Sequence, residues 1–409
     1  MKLIAVLLLS VAPAGGQEIL SERIKGLRVN GSTEAKLPVA GLASRPIIIE
    51  FDVNENEPPD LRIKVRHCDR DWVVTKTSFI NDDIQNRSKS PLRYEPAPAG
   101  VGGYRFHYRT QLPGIAGIER FGQSGNYIFE LWDEDYRNLL ARGKFFVVEK
   151  VIGPSLKITN RSLPSEINPL NQVNKIEVAF TIPEPDSDRV ATLFPNSLSV
   201  VEIYQDRRLY SPWRIDVDDR NPNTFVDGYG TSRLRFIADN ILPGNSYRQL
   251  DLRSSGDYPP GRIHRSKIGA DVSRYLQKPG RDGFGTSSLI ETSRYADYMN
   301  FQFELVVGQA MRESVFVVGD FSGWKTSPAY AMTFNEESGR YALVTSIRRG
   351  IFDYQYVVGS NDWVRIEGND WRSVKVYTAF VYYRDQRFGG FDRIVGYAQG
   401  MSGGGVASD

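Results

Sequence analysis

Cysteine, histidine and long apolar runs are what this 409-residue sequence has least of. A single cysteine, Cys68, excludes an internal disulfide, so the fold must rest on apolar burial, and Cys68 itself is expected to be buried and inert. The three histidines, His67, His107 and His264, are scattered, with no His-x-x-x-His or Cys-x-x-Cys spacing to build a metal site. Charge of one sign is lacking too. With 51 basic and 49 acidic residues, the chain has no general attraction to nucleic acid or to an anionic membrane. Beyond residue 17 no stretch supplies the roughly 18 uninterrupted apolar residues of a membrane-spanning helix.

What is present begins with a leader. Met1 and Lys2 precede Leu3-Ile4-Ala5-Val6-Leu7-Leu8-Leu9, and Ala12-Pro13-Ala14 forms a small-residue exit, so residues 1–16 are expected to be a secretory signal peptide. Cleavage there removes Lys2 and leaves 50 basic residues against 49 acidic, a net charge of +1. No cysteine stands at the cleavage point to take a lipid anchor. The expectation is a soluble exported protein, and about 390 mature residues suggest two to four domains.

The remainder reads as strand and turn. Ile47–Val53, Leu61–His67, Tyr104–Arg109 and Tyr127–Trp132 are short, β-branched or aromatic and mostly alternating, with Gly, Pro, Asn and Asp between them. No long segment of 3.6-residue period competes, so the fold class is all-β, arranged as tandem immunoglobulin-like sandwiches. The strand at Lys144–Glu149 followed by Gly153-Pro154 sets a first unit at 17–150. A second unit spans 151–297, with long connections around one or two further strands after Ser254. A third spans 298–409.

Catalytic constellations are nearly absent. Asp133-Glu134-Asp135 and Asp69-Arg70-Asp71 offer oxygens that calcium could use, but neither continues into a twelve-residue loop closed by glutamate, and solvated turns account for both. Gly283-Phe284-Gly285 lacks the strand-to-helix context of a phosphate cradle. The expectation is therefore no catalytic residue, no metal and no cofactor.

Two resemblances supply what the chemistry does not. In the third unit, Gly319-Asp320-Phe321-Ser322-Gly323-Trp324, followed by Tyr354-Gln355-Tyr356, resembles the early-set immunoglobulin-like sandwich of glycogen-binding modules. Over nearly the whole chain, His67-Cys68-Asp69-Arg70-Asp71-Trp72 with Asn81-Asp82 resembles the signature of the type IX secretion system plug protein family. Three more segments fit that family in order: Ser124-Gly125-Asn126-Tyr127 leading to Phe146-Val147-Val148, then Tyr247–Ser254, then Val381–Asp385 with Phe391–Tyr397. The resemblance implies a periplasmic protein, peripheral to the outer membrane. Its partner would be the outer-membrane translocon barrel, whose periplasmic mouth it would seal without bond chemistry.

Two readings of the motif stay open. His67 and Trp72 flank a turn at a strand end, where imidazole can bond backbone and indole can cover a sheet edge. Alternatively His67, Asp69, Arg70, Asp71 and Trp72 face a partner, because aromatic and arginine side chains anchor protein interfaces; Trp324 and Trp363 face the same choice between core and partner contact, either being favoured over sugar stacking. The competing function is an exported carbohydrate-binding protein that stacks glucan rings on Trp324 and Trp363.

Overall fold

The computed structural model describes residues 17–31, 37–42, 45–82, 84–163, 172–184, 192–274 and 297–403. The expected leader, 1–16, and Gly283-Phe284-Gly285 lie outside them. Over the described residues the chain is strands joined by turns, with four short 3-10 segments and no α-helix. The all-β reading holds, and the strands pair into six sheets that pack as three sandwiches.

The first sandwich is built from strands between Glu18 and Val148. One sheet orders Glu18–Ile19, Leu139–Val148, Gly125–Trp132 and Arg62–Cys68, with Val39–Gly41 lying parallel beside Leu139–Val148. The other orders Ile24–Asn30, Ile47–Val53, Phe106–Leu112 and Tyr94–Pro96. Alternation carries Ile63, Val65 and His67 inward along Arg62–Cys68. Between the sheets lie Phe51, Tyr108, Phe129, Leu131 and Phe145, with Phe51 and Tyr108 stacked at 5.0 Å.

The other two sandwiches are divided differently from the sequence reading. One sheet of the second sandwich, ordered Ser155–Ser162, Gln172–Thr181, Arg233–Ile241 and Thr224–Asp227, is local in sequence. Its facing sheet is not. That sheet orders Trp213–Asp216, Val200–Gln205, Lys375–Asp385 and Phe391–Ser402, so the last two strands, expected in the unit 298–409, complete the second sandwich. The third sandwich is inserted between Ile241 and Lys375. It takes Arg248–Asp251, which pairs with Ile351–Val358, and Ile263–Arg265 and Asp271–Val272, which run parallel to Tyr298–Val306. The boundary at 297/298 therefore cuts through a sandwich.

Burial explains the assignment. Lys375–Asp385 is buried on both faces. Tyr377, Ala379, Val381 and Tyr383 enter the second core, while Phe380 and Tyr382 on the opposite face meet Phe146 of the first sandwich. A strand between two cores reads as a continuous apolar run and carries no mark of which partner it joins. Arg248–Asp251 is committed by Leu250, which packs with Phe301, Val317 and Tyr356 in the third core.

Candidate functional site

The signature segment is a turn built by its own side chains. Arg62–Cys68 runs antiparallel to Gly125–Trp132, placing His67 opposite Tyr127 and Cys68 opposite Asn126. Asp69 then accepts the backbone N–H groups of Asp71 at 3.0 Å and Val73 at 2.9 Å, and Trp72 closes the turn by donating its N–H to the Asp69 carbonyl. Trp72 pays for this with a left-handed backbone, φ +63°. Burial raises the Asp69 carboxyl above its ordinary range despite those bonds, and burial pushes the Cys68 thiol up to about 12.

His67 is the hub of the turn. Its Nε2 donates to the Ser124 carbonyl at 3.1 Å, and its Nδ1 accepts from the Thr75 hydroxyl at 2.8 Å. Both ring nitrogens are thus satisfied by a neutral imidazole, and burial lowers its pKa to about 4. Gly125 is required beside it: at φ +143°, a Cβ there would stand 2.4 Å from Nε2. Asn81, fourteen residues on, accepts the His67 N–H at 2.7 Å and returns bonds to the carbonyls of His67 and Thr75.

Three of the four sequence motifs converge here. The Arg70 N–H donates to Asp392 Oδ2 at 3.0 Å, and the Ser124 hydroxyl accepts the Ile394 N–H at 3.1 Å. Arg393 reaches Glu149 at 2.7 Å. Asn126 donates to the Asp69 carbonyl and accepts from the Tyr382 hydroxyl at 2.9 Å. That one Tyr382 O–H is shared with buried Glu202 at 3.0 Å, Tyr204 donates to the same carboxylate at 2.6 Å, and Arg214 ties Glu202 to Asp71. The Trp72 ring lies 5.3 Å from Phe146, and the Lys144 ammonium sits 4.4 Å from that ring. The motif is the joint between the first and second sandwiches. Of its members only Asp71 presents more than half its side chain to solvent, 54 %.

Trp324 and Trp363 lie elsewhere, and neither offers an open face. They are 4 % and 7 % exposed at the contact of the second and third sandwiches. Trp324 packs 4.6 Å from Tyr247, from the third motif, and Trp363 is covered by the Arg208 guanidinium at 4.1 Å. The Lys375 ammonium sits 4.0 Å from the Tyr247 ring, with burial lowering its pKa to about 8 against the pull of Asp206. Of the readings open for these two tryptophans, core packing is the one their burial matches, since the neighbouring sandwich covers both rings.

Sequence reasoning missed the contact of the first and third sandwiches. A cleft of about 1340 Å³ separates them there, lined by Ile19, Leu20, Arg28, Tyr258, Tyr330 and Phe352 among others. Behind Tyr298 and Arg348 of its lining, Asp52, fully buried, accepts from His107 Nδ1 at 2.7 Å and from the Tyr298 hydroxyl at 2.8 Å, with Arg348 3.6 Å away. Burial works against charging His107, but its hydrogen bond to Asp52 and the Glu50 carboxylate 3.8 Å from Nε2 outweigh it and raise its pKa. Glu50 is in turn held at about 2, burial being overcome by His107, Arg28 and Arg109. The available signal was Glu50 and Asp52 inside the apolar strand Ile47–Val53. Among the described residues no group of three or more His, Cys, Asp or Glu could hold a metal ion, and Asp133 instead caps its own turn through the N–H groups of Arg137 and Asn138.

Compared with known proteins, residues 24–149 match the family model described as the Type 9 secretion system plug protein 1st domain. Among solved structures, the chain is similar to a hypothetical protein from Parabacteroides merdae, at 19 % identity and a TM-score of 0.74, over 95 % of this chain and 99 % of that one. That likeness shows the fold. The BSP domain of a biofilm associated protein, at 9 % identity over 93 % of this chain and 59 % of that one, reaches a TM-score of only 0.16 and carries no argument. No curated protein matches the sequence. With the signature segment at the heart of the matched sandwich, the resemblance read from the sequence is supported over residues 24–149 by the plug protein first-domain model.

Proposed function

We propose that this protein is a periplasmic, non-enzymatic plug that binds the periplasmic opening of the type IX outer-membrane translocon and seals it. The observation that carries the reading is the family match over residues 24–149, which contains the whole signature turn. The joint supports it physically. A plug must resist deformation, and here the first and second sandwiches share one aromatic core in which Phe146 meets Phe380 at 4.3 Å and Tyr204 at 5.3 Å. The implied partner is the translocon barrel, and the implied location is the periplasmic side of the outer membrane, reached through the leader at 1–16. Sealing is binding at equilibrium, so an interface on the order of 1,200 to 2,000 Å² suffices. Conductance of the empty translocon in a planar bilayer tests it: protein added to the periplasmic side is expected to lower the open-pore current in a saturable way. A current that persists at saturating protein refutes the reading.

A further inference from the structure

Asp71 apart, the motif side chains are covered, yet they hold something outside the molecule. Asn81, locked onto the backbone of His67 and Thr75, fixes the connection that carries Phe79, and the N–H groups of Ile80 and Asn81 both bond the Thr77 carbonyl. Phe79 is 81 % exposed, the most exposed aromatic among the described residues. Its ring stacks on Phe388 at 5.4 Å and 30°. Phe388, 47 % exposed, belongs to the second sandwich, at the tip of the hairpin joining Lys375–Asp385 to Phe391–Ser402.

Phe388 is held out at a cost. Its backbone is left-handed, φ +52°, a conformation that glycine adopts freely and a bulky side chain does not. The turn is held by bonds from the Arg387 N–H and guanidinium to Asp385 and from the Gly390 N–H to the Arg387 carbonyl. Behind the exposed pair the rings continue inward: Phe388 lies 6.4 Å from buried Phe391, and Phe391 lies 5.8 Å edge-on from His67. The exposed stack is thus the outer end of the joint, continuous with its core.

Charge around the stack has a direction. Asp385 and Asp392 are 5 % and 4 % exposed at the side chain, whereas their partners Arg387 and Arg384 are 61 % and 40 % exposed. The carboxylates are inside and the guanidinium groups outside, so an approaching surface meets cationic donors around two aromatic rings. That is the composition of an interface anchor, and two stacked rings left in water are otherwise unfavourable.

Resting on the plug reading, we propose that Phe79 and Phe388, with Arg384 and Arg387, form the docking anchor for the translocon, and that they enter an apolar pocket of the partner protein rimmed by carboxylates. A protein pocket fits better than a lipid surface because the two rings are fixed in one geometry by two domains, which preorganises them for a shaped site.

The test is titration of the full chain against translocon conductance in the planar bilayer. The F79A/F388A variant is expected to need at least tenfold more protein to seal than the unaltered chain. F79E, which leaves the strained turn untouched, should show a loss of the same order. F225A, at an aromatic exposed on the opposite sheet of the second sandwich, should titrate as the unaltered chain does. Sealing by both Phe79 variants at the unaltered concentration overturns the anchor and leaves the plug reading standing; an unaltered chain that never lowers the current overturns both. Flotation with vesicles of phosphatidylethanolamine and phosphatidylglycerol separates the remaining alternative: binding to bare vesicles that is lost in F79A/F388A makes the face lipid-directed and also overturns the proposal.

Discussion

The first sandwich touches its two neighbours in opposite ways. Against the second it presents Phe146, Trp72 and Val39 to Phe380, Tyr204 and Ile394, and the polar groups admitted there, Glu202 and Asn126, are saturated by named partners. Against the third it presents Asp52 and His107 to Tyr298 and Arg348, at the end of an open cleft. The aromatic contact is intolerant of lost volume and, through neutral His67, weakens in acid; the charged contact draws on protonated His107 and weakens as pH rises. The family motif lies on the first kind. The first and second sandwiches therefore share one core, while the first meets the third through groups that titrate.

Breaking the aromatic joint has the largest expected effect. Phe146→Ala removes a fully buried ring from a core shared by two sandwiches and should cost about 3–5 kcal/mol, read as a lower Tm or denaturant midpoint. A cost below about 1 kcal/mol would mean the two sandwiches do not share a core.

Next comes acid. The folded pKa of His67, about 4, lies below the unfolded value near 6.5, so its neutral form contributes stability that is complete above pH 6.5 and is lost as pH falls toward 4. At 1.36 kcal/mol per unit the loss is about 3 kcal/mol, and His67→Asn should flatten that part of the stability profile. His107 has the opposite sign. Its raised pKa makes the charged form the stabilising one, so its contribution is complete below the unfolded value and is lost as pH rises through the folded value. Denaturant midpoints measured from pH 4 to pH 9 would show both arms, and a profile unchanged in both His67→Asn and His107→Asn would erase the distinction between the two contacts.

Tyr298→Phe sharpens the same comparison more gently. Loss of one hydrogen bond to a buried carboxylate should cost about 1.5–3 kcal/mol, and hydrogen exchange should rise around Asp52 and Arg348 while the Phe146 region stays protected. Equal deprotection of both regions would show that the contacts are coupled. The smallest expected effect is none at all: with Trp324 and Trp363 covered, migration in gels containing soluble glucan should be unretarded. Retardation abolished by Trp363→Ala would reopen the carbohydrate reading.

Much of the fold could be read from residues because β signals are local. Alternation in Arg62–Cys68 and apolar density in Ile351–Val358 are written where they act. Pairing is not local. Consecutive strands are neighbours often enough that sequence order groups Lys375–Asp385 with the strands before it, and only its partner Val200–Gln205 corrects that. The signature was visible as a motif, but its role as a joint was not, since Arg70 and Asp392 are distant in sequence and 3.0 Å apart in space. Tryptophans after tight turns read alike whether covered or open. Phe388 did leave a trace: an aromatic beside Gly389-Gly390 marks a turn tip, where burial is hardest.

The inserted third sandwich also sets an order of events. A chain emerging amino end first presents His67, Ser124 and Glu149 long before Phe391–Ser402, the last of the described strands, supplies Asp392, Arg393 and Ile394 to bond Arg70, Glu149 and Ser124. Until then the second sandwich lacks half of one sheet, and the outer face of Phe146 has no Phe380 to cover it. A broken or unfinished chain thus leaves an apolar seam in view. Completion of the carboxyl-terminal hairpin closes that seam, so the same strands that finish the molecule also hide the mark by which a protease or chaperone would recognise an incomplete one.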